Sequence, residues 1–279
     1  MDTETLTTPA GKAPTGTGDR HEPDQRAEVI VSTDKLSKSF SLDGAQQHVL
    51  KNLDLDIVRG DFTVIMGRSG AGKSTLLHAL SGMDSPSLGS VIFDGTDISA
   101  MSQDKLATFR RSHCGFVFQQ INLLDSITLA DNVLVPGLLG RAKRSDVVAR
   151  ANELFDLVGL DEVTRKKFPV VVSGGEAQRA AIVRALINEP DVLFADEPTG
   201  QLDSANSTLL LDLLTTINRG GQSIVMVTHD TRSALRGNRI IYLLDGTIHG
   251  QLTLGPYTDD AEQRSATLSA FLDEMGWRL

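Results

Sequence analysis

The sequence has very little cysteine and no long apolar run, and both shortages exclude whole classes of protein. Its one cysteine, Cys114, cannot close an internal disulfide or build a multi-cysteine metal cage. Its apolar runs fall far short of the roughly 18 residues that a membrane-spanning helix needs. The polar first residues contain no apolar signal-peptide core. We therefore expect a chain that stays in a reducing cytosol and serves a membrane only through a partner.

Basic residues are in the minority, which bears on the partners of the protein. The 27 Lys and Arg residues are outnumbered by 36 Asp and Glu residues, so the formal net charge is −9. This balance argues against broad binding to nucleic acid, and we expect no nucleic-acid partner. With 279 residues, of which 40% are hydrophobic, the chain can form one large globular domain or two small ones.

Residues 1–27 differ in composition from the rest of the chain. They are rich in Thr, Pro, Gly, Asp and Glu and show no hydrophobic periodicity. Such a segment buries too little apolar surface to offset its chain entropy, so we predict a disordered tail. A docking or regulatory role for this tail is the alternative.

From Val29 onward, strand-like and helix-like patterns alternate. Phe62–Met66 is a short apolar run that ends at a glycine, as expected of a strand buried on both faces of a parallel sheet. A helical pattern follows it, and this order is the first half of a β-α-β unit. Alternation of this kind predicts an α/β fold with an open parallel sheet covered by helices. Further strand patterns are present at Val29–Val31, Val49–Ile57, Val192–Ala195, Ile224–Thr228 and Ile240–Leu244.

Two segments are predicted to be helical because their apolar residues recur at helical spacing. In the middle of the chain, residues 120–172 read as a helical insertion, with helical spacing at Leu129–Leu139 and Asp146–Leu160. Near the end, Asp259–Trp277 places apolar residues on one face of an amphipathic helix. We expect this last helix to pack on its own domain, and the alternative is a helix that binds a partner.

A glycine-rich segment after the Phe62–Met66 strand matches the phosphate-loop pattern G-x-x-x-x-G-K-[ST]. Glycines allow successive backbone N–H groups to point at phosphate oxygens, and the following helix N-terminus adds partial positive charge. Lys73 is expected to reach the β- and γ-phosphates, Ser74 to bind Mg²⁺, and Thr75 to bond a phosphate oxygen. The predicted nucleotide-binding residues of this loop are Gly67, Arg68, Ser69, Gly70, Ala71, Gly72, Lys73, Ser74 and Thr75.

Two adjacent acids follow the apolar strand Val192–Ala195. A strand that ends in acids places them at the edge of the sheet where open α/β folds bind their ligands. We predict that Asp196 belongs to the shell of the Mg²⁺ ion and that Glu197 orients or deprotonates an attacking water.

A third motif selects a family. Val172–Arg179 precedes a helical run and resembles the signature motif of ABC ATPases, with Val172 where Leu is usual. Like the phosphate loop, this motif starts a helix, and the free N–H groups at the helix N-terminus can bind a γ-phosphate. Because the phosphate loop already serves one side of the nucleotide, a second anion site suggests two chains facing each other around shared ATP. The predicted nucleotide-contacting residues here are Ser173, Gly174, Gly175 and Glu176.

The remaining ABC motifs follow in order, and the resemblance covers about residues 29–254. Gln119 matches the Q-loop glutamine, which touches metal and water, and Asp203 matches the D-loop aspartate, with Gln201 where relatives usually have Asn. His229 matches the switch histidine that contacts the γ-phosphate. Phe40 aligns with the aromatic residue that stacks on adenine, and stacking needs only a π face. The alternative is that Phe40 is simply a residue of the hydrophobic core.

The resemblance implies a complete architecture and a function. It implies a RecA-like P-loop core with a parallel sheet, an N-terminal antiparallel β subdomain and an inserted α-helical subdomain, over residues 28–254, followed by a C-terminal amphipathic helix over 255–279. It further implies an ATPase that binds ATP and Mg²⁺, works as a homodimer, and drives a separate integral-membrane permease from the cytoplasmic face of the membrane. The motifs around Gln119 and Glu197 are similar to those of the MacB/LolD/FtsE group, whose permeases resemble FtsX and MacB.

Two later segments, Arg236–Leu243 and Phe271–Trp277, are similar to the Bce-type subset of that group, which handles antimicrobial peptides such as bacitracin. Export of, or resistance to, such peptides or lipid-linked molecules is therefore the expected role. An FtsE-like ATPase that regulates cell-wall hydrolases without transport is one alternative. A soluble ABC ATPase acting on DNA or ribosomes is another, although such proteins usually carry two nucleotide domains, a long coiled coil or zinc modules. A P-loop kinase would leave the Ser173 motif unexplained.

Overall fold

The computed structural model describes residues 28–42, 45–140, 143–258 and 261–277. The predicted disordered tail, residues 1–27, lies outside these ranges. The strands are β1 (Val29–Leu42), β2 (Ala45–Val58), β3 (Phe62–Met66), β4 (Leu88–Phe93), β5 (Thr96–Asp97), β6 (Cys114–Phe118), β7 (Val192–Asp196), β8 (Ser223–Thr228), β9 (Arg239–Leu244) and β10 (Thr247–Thr253). The helices are α1 (Lys73–Leu80), α2 (Gln103–His113), α3 (Leu129–Leu139), α4 (Arg144–Leu157), α5 (Glu162–Arg165), α6 (Gly174–Leu186), α7 (Ser204–Arg219), α8 (Thr231–Ala234) and α9 (Ala261–Glu274).

A six-stranded sheet forms the centre of the molecule, in the order β10-β9-β3-β8-β7-β6. Its strands run parallel except β10, which pairs antiparallel with β9. Every residue of β3 and β8 is buried, as expected of central strands covered on both faces. Because parallel strands end at the same edge, the segments after β3, β6, β7 and β8 all meet there.

A second, four-stranded antiparallel sheet has the order β2-β1-β4-β5. Its buried residues, among them Leu36, Leu53 and Val91, share one apolar core with α1 and with one face of the central sheet. This sheet is the predicted N-terminal β subdomain, and it lies beside the helix that follows the phosphate loop.

The helical insertion contains α3, α4, α5 and a short 3₁₀ turn at Pro169–Val171. The prediction extends helical spacing to Leu160, but α4 ends at Leu157 because Gly159 adopts a left-handed backbone (φ +67°). Val158 and Leu160 are nevertheless buried, so the apolar pattern correctly marks core residues beyond the helix end.

The C-terminal helix α9 is shorter than the predicted Asp259–Trp277 segment and packs on its own domain. Its Leu268 and Leu272 are buried in the core that covers the second face of the central sheet, and Phe271, Met275 and Trp277 pack against that core. Within the described residues, no helix combines the length and the apolar character that crossing a membrane requires.

Candidate nucleotide site

The phosphate loop connects β3 to α1 at the carboxyl edge of the central sheet. Gly70 and Gly72 have left-handed backbones, with φ of +80° and +99°. At Gly72 there is also no room for a side chain, since a Cβ would lie 2.9 Å from Leu50 Cδ2. Glycine is therefore required at this turn for both its conformation and its size.

Lys73, the first residue of α1, is folded back over this loop. Its Nζ donates hydrogen bonds to the carbonyl oxygens of Gly67 (2.9 Å) and Arg68 (3.1 Å). Burial lowers the pKa of Lys73, while the nearby carboxylates of Glu197 and Asp196 act in the opposite direction. The ammonium group is thus held inside the turn, where phosphate oxygens could replace the two carbonyls as its partners.

Ser74 and Asp196 are brought together from α1 and from the end of β7. The Ser74 hydroxyl donates to Asp196 Oδ1 over 3.1 Å. Burial raises the pKa of Asp196, and the bond from Ser74 partly offsets this effect. A hydroxyl beside a carboxylate is a pair of hard oxygen donors of the kind that Mg²⁺ prefers, and Mg²⁺ in nucleotide sites takes its other ligands from phosphates and water. These two residues therefore fit the metal that the resemblance implies.

Glu197 is fixed against the switch histidine. It adopts a left-handed backbone (φ +47°), which is uncommon for a non-glycine residue and typical of a constrained functional position. Its N–H donates to the Val227 carbonyl (3.0 Å), and its Oε1 lies 2.8 Å from His229 Nδ1. Thr228 Oγ1 donates to the other carboxylate oxygen over 3.4 Å. The carboxylate is thereby oriented from β8 and not left to rotate freely.

The Ser173 motif starts a helix, as predicted, but its serine already has partners in the same chain. Ser173 is the N-cap of α6 and forms a capping box: its Oγ accepts from the N–H of Glu176 (3.2 Å), and Glu176 Oε2 accepts from the N–H of Ser173 (2.8 Å). The Glu176 carboxylate accepts hydrogen bonds from both the N–H and the hydroxyl of Ser173, and these bonds lower the pKa of Glu176. Among the described residues, no hydrogen bond joins this motif to the phosphate loop.

Gln119 contacts the turn that follows Glu197, and Asp203 lies at the end of that turn. Gln119 comes directly after β6, and its side chain packs against Gly200, where a Cβ would lie 2.8 Å from its Nε2. Asp203 is the N-cap of α7 and accepts from the backbone N–H (2.9 Å) and side-chain amide (2.7 Å) of Asn206. The backbone hydrogen bond is the main reason that the pKa of Asp203 is lowered.

Phe40 is on the surface of the antiparallel sheet, with 40% of its area exposed, so the core alternative is wrong. The Lys38 Nζ lies 5.2 Å from its ring centroid, within range of a cation–π contact. Phe40 lines an open cavity of about 500 Å³ together with His48 and Leu88. Stacking on adenine remains a prediction.

The sequence analysis gave no role to Gln178, which connects the motifs. This residue of α6 is buried, and its Nε2 donates to the carbonyls of Phe118 (3.1 Å) and Pro198 (3.0 Å). It therefore links the signature helix to the ends of β6 and β7. A long polar residue among the alanines of a buried helix face is the signal that could have identified it.

A glycine loop between a buried strand and a helix, with a hydroxyl, two acids and a histidine at the same sheet edge, defines a P-loop nucleoside triphosphatase. The family model described as "ABC transporter" matches residues 50–200, which is more than half of the chain. The chain belongs to the ABC transporter family and is an ATPase of that family.

Several curated relatives are similar over most of this chain. A bacitracin export ATP-binding protein, BceA, from Halalkalibacterium halodurans is 40% identical over 81% of this chain and 90% of its own length. The lipoprotein-releasing system ATP-binding protein LolD from Bacteroides fragilis is 43% identical over 78% of this chain and all of its own length. The macrolide export ATP-binding/permease protein MacB from Mannheimia succiniciproducens is 38% identical over 87% of this chain, which spans 38% of that longer protein. The group predicted from the motifs is therefore confirmed.

The fold is likewise confirmed by solved structures. A dimeric ATP-binding cassette bound to ADP and phosphate superposes with a TM-score of 0.75 and 37% identity, over 81% of this chain and 99% of that one. The cassette cbiO1 from Clostridium perfringens, part of a cbiONQ transporter complex, superposes with a TM-score of 0.74 and 27% identity.

Proposed function

We propose that this chain is the ATP-hydrolysing subunit of a membrane transport or mechanotransmission complex and works as a homodimer around two ATP molecules. The observation that carries this proposal is the convergence of Lys73, the Ser74–Asp196 pair and the Glu197–His229 pair at one edge of the central sheet. The loop supplies phosphate binding, and the second pair supplies an oriented carboxylate.

In this proposal each site residue has a defined task. Lys73 and the loop N–H groups bind the phosphates, and Ser74, Asp196 and Gln119 would hold Mg²⁺, which neutralises phosphate charge when bound. Glu197 orients the attacking water and accepts its proton, while His229 fixes Glu197 and contacts the γ-phosphate. Phe40 stacks on the adenine. Ser173, Gly174, Gly175 and Glu176 of the second subunit cap the γ-phosphate, and Asp203 lies beside them at the subunit interface.

Energy enters this system through binding. ATP contacts made by both subunits exist only when the two are closed, so ATP favours the closed state by its differential affinity. Hydrolysis and phosphate release remove that preference, and the pair reopens. This cycle converts the free energy of ATP binding and hydrolysis into motion of the two subunits.

The partner that we propose to receive this motion is an integral-membrane permease of the FtsX/MacB type, with this chain bound at its cytoplasmic face. The helical insertion, which begins in the chain just after Gln119, supports this proposal because it exposes large apolar side chains. Leu124 is 60% exposed, and Leu139 on α3 is 61% exposed. Apolar surface of this kind is typical of a contact with another protein.

For the transported molecule we propose an amphiphilic antimicrobial peptide or a lipid-linked substrate. Bacitracin export, macrolide export and lipoprotein release are the activities in the names of similar proteins, and they support this proposal. An FtsE-like role in controlling cell-wall hydrolases would use the same ATP cycle. Purification with the native permease distinguishes the two: a permease with a large extracellular domain and peptide-dependent ATPase stimulation supports transport or resistance.

The hydrolytic assignment is tested by Glu197→Gln. The amide cannot accept a proton, so we expect steady-state hydrolysis to fall by about 10² or more while ATP binding persists. Glu189→Gln is the matched control, because Glu189 also has a left-handed backbone (φ +52°) but lies outside the site. Near-normal hydrolysis in Glu197→Gln, measured by phosphate release, would refute the role of Glu197.

A further inference from the structure

The end of the C-terminal helix touches the phosphate loop. The Arg68 Nη2 donates to the carbonyl oxygen of Gly276 over 2.9 Å, although the two residues are 208 positions apart in the chain. We propose that the segment Arg264–Trp277, named here the C-terminal brace, positions the phosphate loop for ATP. This inference rests on the proposed function of that loop and adds positioning residues to it.

The carbonyl that Arg68 contacts is held in place by the way α9 ends. Gly276 has a left-handed backbone (φ +71°), and the N–H of Trp277 donates to the Leu272 carbonyl over 2.8 Å. This is the Schellman geometry of a helix C-terminus. It presents the Gly276 carbonyl outward and packs the Trp277 ring edge-on against the buried Tyr242, at 6.0 Å between centroids.

Arg68 connects this fixed carbonyl to Lys73, the proposed phosphate-binding lysine. Its side chain donates to Gly276, while its own carbonyl oxygen accepts from Lys73 Nζ (3.1 Å) and from the N–H of Ala71 (3.1 Å). The residue is exposed and forms part of the loop itself. A hydrogen bond from its guanidinium group to a fixed carbonyl therefore restrains the backbone turn that contains the phosphate-binding groups.

The other end of the brace holds the segment that follows the switch histidine. Arg264 is only 7% exposed, and its guanidinium group donates to five backbone carbonyls. Two of these belong to Leu235 (Nε, 2.6 Å) and Gly237, directly after α8, which follows His229. The others belong to Leu254, Gly255 and Pro256. The C-terminal brace thus contacts both the phosphate loop and the segment after His229, and the γ-phosphate would lie between these two parts of the site.

The direction of the effect follows from chain entropy. A loop with glycines at φ +80° and +99° is intrinsically free to adopt other conformations. Restraint before binding reduces the ordering cost at binding, so the brace should strengthen ATP affinity. Its loss should weaken ATP binding more than it slows the chemical step, because Glu197 and His229 are oriented from β7 and β8.

The test uses the full chain with Gly276→Ala and, separately, with removal of residues 276–279. Gly159→Ala is the matched control, since Gly159 has nearly the same backbone (φ +67°), equally open space, and the same helix-ending hydrogen bond from Leu160 to Phe155. We expect the KM for ATP to rise about three- to tenfold in both brace variants, with kcat within about twofold, as fits the loss of one charge-assisted hydrogen bond. Gly159→Ala should leave the KM unchanged.

A double-mutant cycle separates positioning from general destabilisation. Arg68→Ala should raise the KM in the intact chain and have no further effect once residues 276–279 are removed. An unchanged KM in the folded truncated protein, or a full Arg68→Ala effect in that background, would overturn the brace. Lys73→Ala in parallel tests the site itself: if it retains normal ATP affinity, the proposed function fails independently of the brace.

Discussion

At the scale of single residues, the signature helix and the helix after it meet at one glycine. A Cβ on Gly175 would lie 2.8 Å from Asn206 Cγ, whereas a Cβ on Gly174 would meet only Leu202 Cδ2 at 3.7 Å. Asn206 in turn donates to Asp203 through its amide group. The signature and D-loop motifs of one chain are therefore in physical contact through a residue that neither motif includes.

This contact predicts different costs for two neighbouring substitutions. Gly175→Ala overpacks the junction and should lower the free energy of unfolding by about 1–3 kcal/mol. Gly174→Ala, in the same helix turn but with space around it, should cost much less. Urea unfolding of both variants checks the difference, and equal stability would contradict the packing described here.

Where a motif dictates the chemistry, the sequence predicts which residues form the site. It does not predict which other residues those side chains contact. Lys73, Ser74, Asp196 and Glu197 follow from a glycine loop and from a strand that ends in acids. The left-handed backbone of Glu197 and the link from Gln178 to Phe118 and Pro198 depend on segments distant in the chain. No local pattern encodes such partners.

At the scale of elements, α9 belongs to the core of the ATPase domain. Leu268 and Leu272 are buried, and Gly250 of β10 lets Met275 approach so closely that a Cβ there would lie 2.6 Å from its Sδ. The apolar stripe read from the sequence therefore covers the central sheet of its own domain.

This packing predicts that α9 contributes to global stability. Leu272→Ala should lower the free energy of unfolding by about 2–5 kcal/mol, because it leaves a cavity in a packed core. The exposed Ser269→Ala on the same helix is the control and should change it by less than about 0.5 kcal/mol. Equal denaturation midpoints would show that α9 is not part of the cooperative core.

The sequence predicts a strand well where the strand is a short apolar run whose residues are all, or almost all, buried. The apolar runs of β3, β7 and β8 are fully or almost fully buried and were recognised at nearly their observed bounds. β4 and the helix α2 were not assigned, because β4 has only two buried residues and α2 only one. Strand order depends on contacts between distant segments, which a periodic pattern does not contain.

At the scale of the whole molecule, the two anion-binding helix ends lie on separate parts of the chain. Lys73 begins α1 at the edge of the central sheet, and Ser173 caps α6 after the helical insertion. The described residues contain no hydrogen bond between them, and we propose that a second subunit brings its Ser173 motif to the phosphate loop of the first. A dimeric cassette bound to ADP and phosphate is among the similar structures.

The most direct test of this arrangement is a cross-link between subunits. Ser69 and Ser173 are exposed, while the native Cys114 is buried and burial raises the pKa of its thiol, so introduced cysteines would react selectively. Two differently tagged Glu197→Gln chains, one with Ser69→Cys and one with Ser173→Cys, are mixed with a short thiol cross-linker. We predict a cross-linked heterodimer that requires ATP and Mg²⁺. If ATP produces no cross-link, or the same yield forms without nucleotide, the shared-nucleotide dimer is contradicted.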